Sequence, residues 1–234
     1  MKVNPLISVC MATFNGQDFI LEQINSILSN LGSLDELIIV DDCSNDKTVN
    51  IIKRLNDERI KIFINERNFG EVYSFNRALS LASNDFIFLS DQDDIWLNER
   101  AKLMIQAFKL HDSYLLTSNF DWIDQHGHSL NIYHDGVLSK NSANYYKNII
   151  DIFIGKTNYF GCAMLMSKDF MQMILPFPSF TESHDLWIAL NANLLKKNLH
   201  IDNKTLLKRA HGNNATSTIS NRKFLQKIWS RAIF

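Results

Sequence analysis

Residues 86–96 read Phe86-Ile87-Phe88-Leu89-Ser90-Asp91-Gln92-Asp93-Asp94-Ile95-Trp96, and the passage from an apolar run to three carboxylates within four positions decides how the chain is read. Phe86 to Leu89 has the wholly apolar character of a parallel strand covered on both faces. Carboxylates crowded at the end of such a strand repel one another unless a cation is bound. Mg²⁺ or Mn²⁺, held by one or two carboxylates together with phosphate oxygens, would relieve that repulsion. The alternative is an acidic cap facing the N-terminus of a helix near Asn98.

Upstream of this stretch the same strand-then-polar pattern recurs. Leu6 to Val9 forms a β-branched run that ends in the turn residues Thr13-Phe14-Asn15-Gly16, and Ile20, Ile24, Ile27, Leu28 and Leu31 then fall at helical spacing before Gly32. Leu37 to Val40 is a second buried strand stopping at Asp41 and Asp42, followed by helix-start residues Ser44, Asn45 and Asp46 and the stripe Thr48, Ile52, Leu55. A third strand is expected at Ile60 to Ile64 and a third helix at Val72 to Ala82 after Gly70. Strands alternating with helices argue for right-handed βαβ units, an α/β class with a Rossmann-like, mostly parallel sheet whose ligands sit beyond the carboxyl ends of the strands. The polar groups Thr13 and Asn15, Asp41 and Asp42, and Asp91 to Asp94 all fall at those ends. An ionised carboxylate at Asp42 can accept from a pyrimidine imide or ribose hydroxyls, or it can cap the next helix.

Downstream, a helix near Asn98 to Lys109 and a strand near Tyr114 to Ser118 precede a turn at Asp124-Gln125-His126-Gly127, where the alternation fades. The expected organisation is a nucleotide-binding half over residues 1–118, a second half of the same domain over 119–217, and a basic amphipathic tail over 218–234. The second half is expected to hold a helix at Tyr145 to Ile152, a strand at Gly161 to Met166, a loop with Pro176 and Pro178, and a helix from Asp185 to Leu195. Trp96 and Trp187 lie at helical spacing from apolar neighbours and read as core more readily than as a sugar platform.

Composition bounds the possibilities. The chain has 234 residues, 46% of them hydrophobic, and a formal net charge of −1, which suits a globular core and gives no basic surface for nucleic acid. Cys10, Cys43 and Cys162 are odd in number and widely spaced, so neither a disulfide framework nor a CxxC metal site is expected, and a reducing compartment is. No apolar run approaches the roughly 20 residues that span a bilayer, and the first residues lack signal-peptide order. A cytoplasmic location is the expectation.

Three segments together, Leu6 to Gly16, Asp41 to Asp46 and Phe88 to Trp96, resemble in order and spacing the signatures of family 2 glycosyltransferases. Phe160-Gly161-Cys162-Ala163-Met164, Ser183-His184-Asp185-Leu186-Trp187 and Arg209-Ala210-His211-Gly212-Asn213-Asn214 resemble its rhamnosyltransferase-like branch, so the resemblance spans residues 5 to 217. It implies a GT-A fold, an inverting hexosyltransferase and a divalent metal, Mn²⁺ or Mg²⁺. Carried over by motif, Asp42 would contact the base, Asp91 the ribose and Asp93 the metal. Thr13 and Asn15 would belong to the nucleotide-sugar site, Arg209 would face the diphosphate, His211 would meet the metal or diphosphate, and Asp185 would be the general base. The expected donor is dTDP-L-rhamnose, with a UDP-hexose as the alternative. The expected acceptor is a saccharide or lipid-linked saccharide in bacterial surface polysaccharide synthesis, reached by a protein touching the inner membrane face through its basic tail. A non-catalytic sugar-nucleotide or polysaccharide binding module is the rival without chemistry. Two departures stand out: Cys43 occupies a position where many relatives have Gly, and His184 replaces a carboxylate common before the base.

Overall fold

The computed structural model describes residues 6–132, 136–156 and 159–212. The amphipathic stretch 218–234 and the pair Asn213 and Asn214 lie outside them. Among the described residues nine strands form one sheet. β1 (Ile7–Thr13), β2 (Glu36–Asp41), β3 (Ile60–Ile64) and β4 (Phe86–Ser90) alternate with α1 (Ile20–Leu28), α2 (Thr48–Arg54) and α3 (Glu71–Leu81). After them come β5 (Ile95–Trp96), α4 (Arg100–Lys109), β6 (Leu115–Ile123), β7 (Ser129–Leu130), α5 (Tyr145–Ile154), β8 (Met164–Ser167), α6 (Lys168–Ile174), α7 (His184–Leu194) and β9 (Asn198–Arg209). The strand order is β3-β2-β1-β4-β8-β6-β9-β5, with β7 paired to β6.

The first four strands are mutually parallel, so Thr13, Asp41 and Ser90 end on one rim. β8 runs antiparallel between β4 and β6, β9 is parallel to β6, and β5 returns antiparallel to β9. Side chains alternate across a strand, and here both faces are apolar. Val9, Met11, Leu37 and Ile39 pack with Ile20, Ile24 and Ile27 of α1 and Ala101, Met104 and Phe108 of α4. On the other face Cys10, Ile38 and Val40 pack with Phe75, Ala78 and Leu79 of α3, Phe170 and Met171 of α6, and Ile188 and Ala189 of α7. This two-sided burial is why the strands read as unbroken hydrophobic runs.

The structure moves several boundaries. Residues Gly161–Ala163 make a 3-10 turn, and the strand begins only at Met164. The division expected at 118/119 falls inside β6, so the two halves share one sheet. β9 has no counterpart in the sequence reading, because its central residues Asp202, Asn203 and Lys204 are exposed and polar. Its strand character comes from eight of its twelve residues pairing with β6 across a bulged register. Trp96 is buried in the core against Phe88, and Trp187 is half-buried with its indole Nε1 donating to the Ile174 carbonyl. No helix of the described residues is long and apolar enough to cross a membrane.

Candidate active site

The rim where β1, β2 and β4 end is organised by carboxylates that hold backbone in place. Asp41 is fully buried and accepts from Ser44 N at 2.8 Å and Ser44 Oγ at 2.5 Å. Burial, followed by repulsion from Asp46 and Asp42, raises its carboxyl pKa against those hydrogen bonds. Asp42 points the other way. Its Oδ1 accepts from Asn65 Nδ2 at 2.7 Å and Phe69 N at 2.9 Å, and its Oδ2 from Gly70 N at 2.7 Å. Asp42 therefore anchors the segment leading into α3, while Asp46 takes Thr48 N at the start of α2. Both oxygens of the residue expected at the base are engaged by protein donors.

The loop after β1 is clamped by Gln92, which sequence reasoning passed over. Thr13 Oγ1 donates to Gln92 Oε1 at 2.5 Å, Phe14 N donates to the same oxygen at 2.9 Å, and Gln92 Nε2 returns a bond to Phe14 O at 3.1 Å. A side chain at Gly16 would place its Cβ 2.3 Å from that Gln92 oxygen, so only glycine admits the clamp. Asn15, at φ +48°, accepts from Asn45 N at 2.8 Å while its own N–H donates to Ser44 Oγ. Thr13 and Asn15 thus tie the first loop to the acidic motif and to the loop after β2.

The motif itself divides into two sides. On one, Asp91 Oδ2 lies 2.8 Å from Lys208 Nζ, which also stands 3.8 Å from Asp94 Oδ2 and 3.5 Å from Cys162 Sγ. Burial alone would raise the Asp91 carboxyl pKa, but the Lys208 ammonium outweighs it and holds it below the usual carboxylate range. Asp94 is pushed up to about 7, by burial first and then by Asp91 and Asp93, with Lys208 opposing. Burial carries the Cys162 thiol well above its ordinary value. On the other side, Asp93 Oδ2 lies 2.8 Å from His211 Nε2, whose ring packs on Phe19 with centroids 4.6 Å apart. Because β5 follows the motif directly and α4 begins only at Arg100, the acidic residues do not cap a helix.

Arg209 joins the sides from within. Its Nε donates to Asp93 O at 2.9 Å, Nη1 to the carbonyls of Asp124 and Gln125 at 3.2 Å each, and Nη2 to Glu22 Oε2 at 2.6 Å. Its backbone N–H donates to Asp94 Oδ1 at 3.0 Å. Expected at the diphosphate, the guanidinium is here 2% exposed and bound to protein oxygens, so it positions the motif.

Asp185 lies in the first turn of α7. Ser183 Oγ and Leu186 N both donate to its Oδ1, and Ser183, not Asp185, is the N-cap residue. Beside it His184 Nδ1 stands 3.3 Å from Glu71 Oε1, and the imidazole stacks on Phe75 at 4.0 Å. Glu71, another residue the sequence reading missed, opens α3 immediately after the backbone that Asp42 holds. Withdrawal from water raises its carboxyl pKa, and Asp91 and Asp185 push the same way while His184 and Lys208 oppose. A carboxylate from α3 thus stands against the imidazole that precedes Asp185. Glu71 feels the charges of both Asp91 and Asp185, and Asp42 holds the backbone of Gly70 just before it.

A twisted, mostly parallel α/β sheet with carboxylates gathered beyond its strand ends defines the GT-A class of nucleotide-sugar folds. The chain belongs to the family described as Glycosyl transferase family 2, whose model matches residues 8–175. It is similar to a putative colanic acid biosynthesis glycosyl transferase, WcaA, of Escherichia coli, at 38% identity over 51% of this chain and 42% of that protein. Among solved structures it resembles Staphylococcus aureus TarS in complex with UDP-GlcNAc, with TM-score 0.69 and 20% identity over 94% of this chain and 64% of that one. It also resembles the Pyrobaculum calidifontis mannosyltransferase PcManGT in complex with GDP-Man and Mn²⁺, with TM-score 0.68 and 14% identity over 99% of this chain and 65% of that one. The chain spans about two fifths of the length of the first curated relatives it matches.

Proposed function

We propose that this chain transfers a hexosyl unit, with inversion at the anomeric carbon, from a sugar nucleotide to a saccharide or lipid-linked saccharide acceptor in bacterial surface polysaccharide synthesis. The observation that supports the reading is that Asp91, just past the end of β4, and Asp185, in the first turn of α7, both act on the Glu71 carboxyl, with Asp93 two residues beyond Asp91. These positions suit two tasks needed together: holding an activated diphosphate and taking the proton of an incoming hydroxyl. Asp185 Oδ1 is held by Ser183 Oγ and Leu186 N, which orients the carboxylate. As general base it would accept the acceptor hydroxyl's proton as that oxygen attacks C1. Asp91, kept ionised by Lys208, is suited to accept from ribose hydroxyls.

Asp93 and His211, whose Oδ2 and Nε2 are hydrogen-bonded at 2.8 Å, would hold a divalent cation in place of the proton they share. One carboxylate and one imidazole form a donor set that Mn²⁺ accepts. Bound there, the ion would stabilise negative charge on the departing nucleoside diphosphate. For the donor we favour dTDP-L-rhamnose, on the resemblance of the His184-Asp185 and Arg209 to Gly212 segments to the rhamnosyltransferase-like branch, over a UDP-hexose. The tail at 218–234, basic and amphipathic in sequence, would bring the protein to the cytoplasmic membrane face where lipid-linked acceptors lie.

The test is thermal-shift screening against dTDP-, UDP- and GDP-sugars with and without Mn²⁺, since a ligand that binds only the native state raises its apparent stability. Transfer assays follow with the donor that binds. Asp185→Asn is expected to keep donor binding and lose turnover by at least about 10²-fold. Full turnover in that variant removes Asp185 from the chemistry, and no stabilisation by any sugar nucleotide defeats the whole reading.

A further inference from the structure

Asp91, Asp94 and Cys162 offer ligand atoms all within 4.8 Å of one another. Two carboxylates and a thiol are a donor set that Zn²⁺, Co²⁺ or Cd²⁺ would accept. Asp94 Oδ2 is buried and makes no hydrogen bond, so the position calls for a positive charge. One is already present. Lys208 Nζ stands 2.8 Å from Asp91 Oδ2, 3.5 Å from Cys162 Sγ and 3.8 Å from Asp94 Oδ2, and so touches every member of the group.

We propose that Lys208 is the resident cation of this acidic triad, closing Asp91, Asp94 and Cys162 to metal ions and confining any divalent ion to the Asp93–His211 side of the motif. The backbone commits the lysine to this place. β9 pairs with β6 so that Lys208 lies opposite Trp122, and its side chain is 9% exposed with the ammonium 5.5 Å above the Phe160 ring. Retreat would strand a charge among aromatic and apolar groups, and a divalent ion entering beside the ammonium would meet unscreened repulsion at this depth. The next residue, Arg209, binds Asp94 Oδ1 through its N–H and Asp93 O through its Nε, which keeps the two sides of the motif apart. Lys208 thereby acts as a positioning residue for Asp91. One of the two Asp91 oxygens is held by the ammonium, and the carboxylate is oriented without a metal. This deepens the transferase reading and rests on it only for the part Asp93 and His211 play.

The test uses metal ions alone, with no sugar nucleotide, so that its failure is separate from failure of the transferase reading. Co²⁺ and Cd²⁺ are titrated into the wild-type chain, Lys208→Met, Cys162→Ser and the double variant, following Co²⁺–thiolate charge-transfer absorption and Cd²⁺ stoichiometry by calorimetry. Lys208→Met is expected to gain one additional Cd²⁺ and the thiolate absorption, and both are expected to vanish when Cys162→Ser is added. That control also separates Cys162 from the partly exposed Cys43. Thiolate absorption in the wild-type chain that Cys162→Ser removes would overturn the proposal, as would a folded Lys208→Met that gains no ion. Should Lys208→Met not fold, the wild-type and Cys162→Ser pair decides alone: identical titrations support the resident cation and a Cys162-dependent ion refutes it.

Discussion

Replacing Asp42 by Asn separates an anchoring carboxylate from one whose work is to touch the base. The buried side chain accepts from three donors, Asn65 Nδ2, Phe69 N and Gly70 N, at 2.7 to 2.9 Å. An asparagine offers one acceptor oxygen. In its better orientation that oxygen keeps Asn65 and Phe69, and the new amide NH₂ is turned against Gly70 N. One charge-assisted hydrogen bond is lost, at about 1.5–3 kcal/mol, and a buried donor is left unmet, at about 1–3 kcal/mol. The sum is roughly 2.5–6 kcal/mol, a large share of the ~5–15 kcal/mol typical of a domain. At about 2–4 °C per kcal/mol for a chain of this size, Tm should fall by about 5–24 °C. Urea unfolding and differential scanning calorimetry on the ligand-free protein measure it. An Asp42→Asn variant with unchanged Tm and weakened donor binding alone would refute the anchoring argument and return Asp42 to direct contact with the base.

Cys43 adopts φ +66°, a conformation costing a residue with a Cβ about 1–2 kcal/mol, whereas glycine enters it freely but loses about 0.5–1 kcal/mol more entropy on folding. Cys43→Gly should therefore stabilise the protein by up to about 1.5 kcal/mol, and a lower urea midpoint would contradict this. His200 is buried, with Tyr159 Oη 2.8 Å from its Nε2 and the Leu138 carbonyl 3.2 Å from its Nδ1, and burial pushes its pKa from 6.5 down to about 4. Between those values the unfolded chain holds the extra proton, so stability falls as pH drops from about 6.5 to about 4, by about 3 kcal/mol at most. His200→Gln should flatten that slope in urea titrations at pH 7.5 and 4.5, and an equally steep variant would exclude His200 as its source. A Cβ at Gly161 would lie 2.5 Å from His184 Nε2, in a ring already held by Phe75 and Glu71. Gly161→Ala should cost about 1–3 kcal/mol by overpacking and lower kcat by displacing the residue beside Asp185, and wild-type kcat with wild-type Tm would show that the contact relaxes freely.

The N-terminal half was legible because each strand is buried on both faces and each polar cluster falls where a parallel strand must stop. Ile38 and Val40 pack on one side and Leu37 and Ile39 on the other, and a run without polar residues admits few other readings. Residues whose meaning depends on a distant partner were not legible. Gln92 is an unremarkable amide within an acidic motif until Thr13 and Phe14 are brought against it, and Glu71 opens an ordinary helix until His184 arrives from α7. Asp42 was legible as important, but nothing in residues 41–46 shows that its acceptors are taken by Asn65, Phe69 and Gly70.

The return strand β9 shows why the site could be listed residue by residue from the sequence and still not be assembled. Asn198–Arg209 has no clean alternation, because its middle is exposed and its ends are buried, and only pairing with β6 makes it a strand. That pairing sends Lys208 to Asp91 and Asp94, Arg209 to Asp93 O and Asp94 Oδ1, and the chain just beyond it carries His211 to Asp93. Three consecutive carboxylate problems are thus answered from one short stretch, each by a different cation or donor. Crowded carboxylates can be met by metal, by fixed positive charge or by hydrogen bonds, and this rim uses fixed charge at Asp91 and backbone at Asp94. Among the described residues, Asp93 alone of the motif's carboxylates is met by an imidazole, that of His211, whereas Asp91 and Asp94 receive counter-charge and donors from β9 itself.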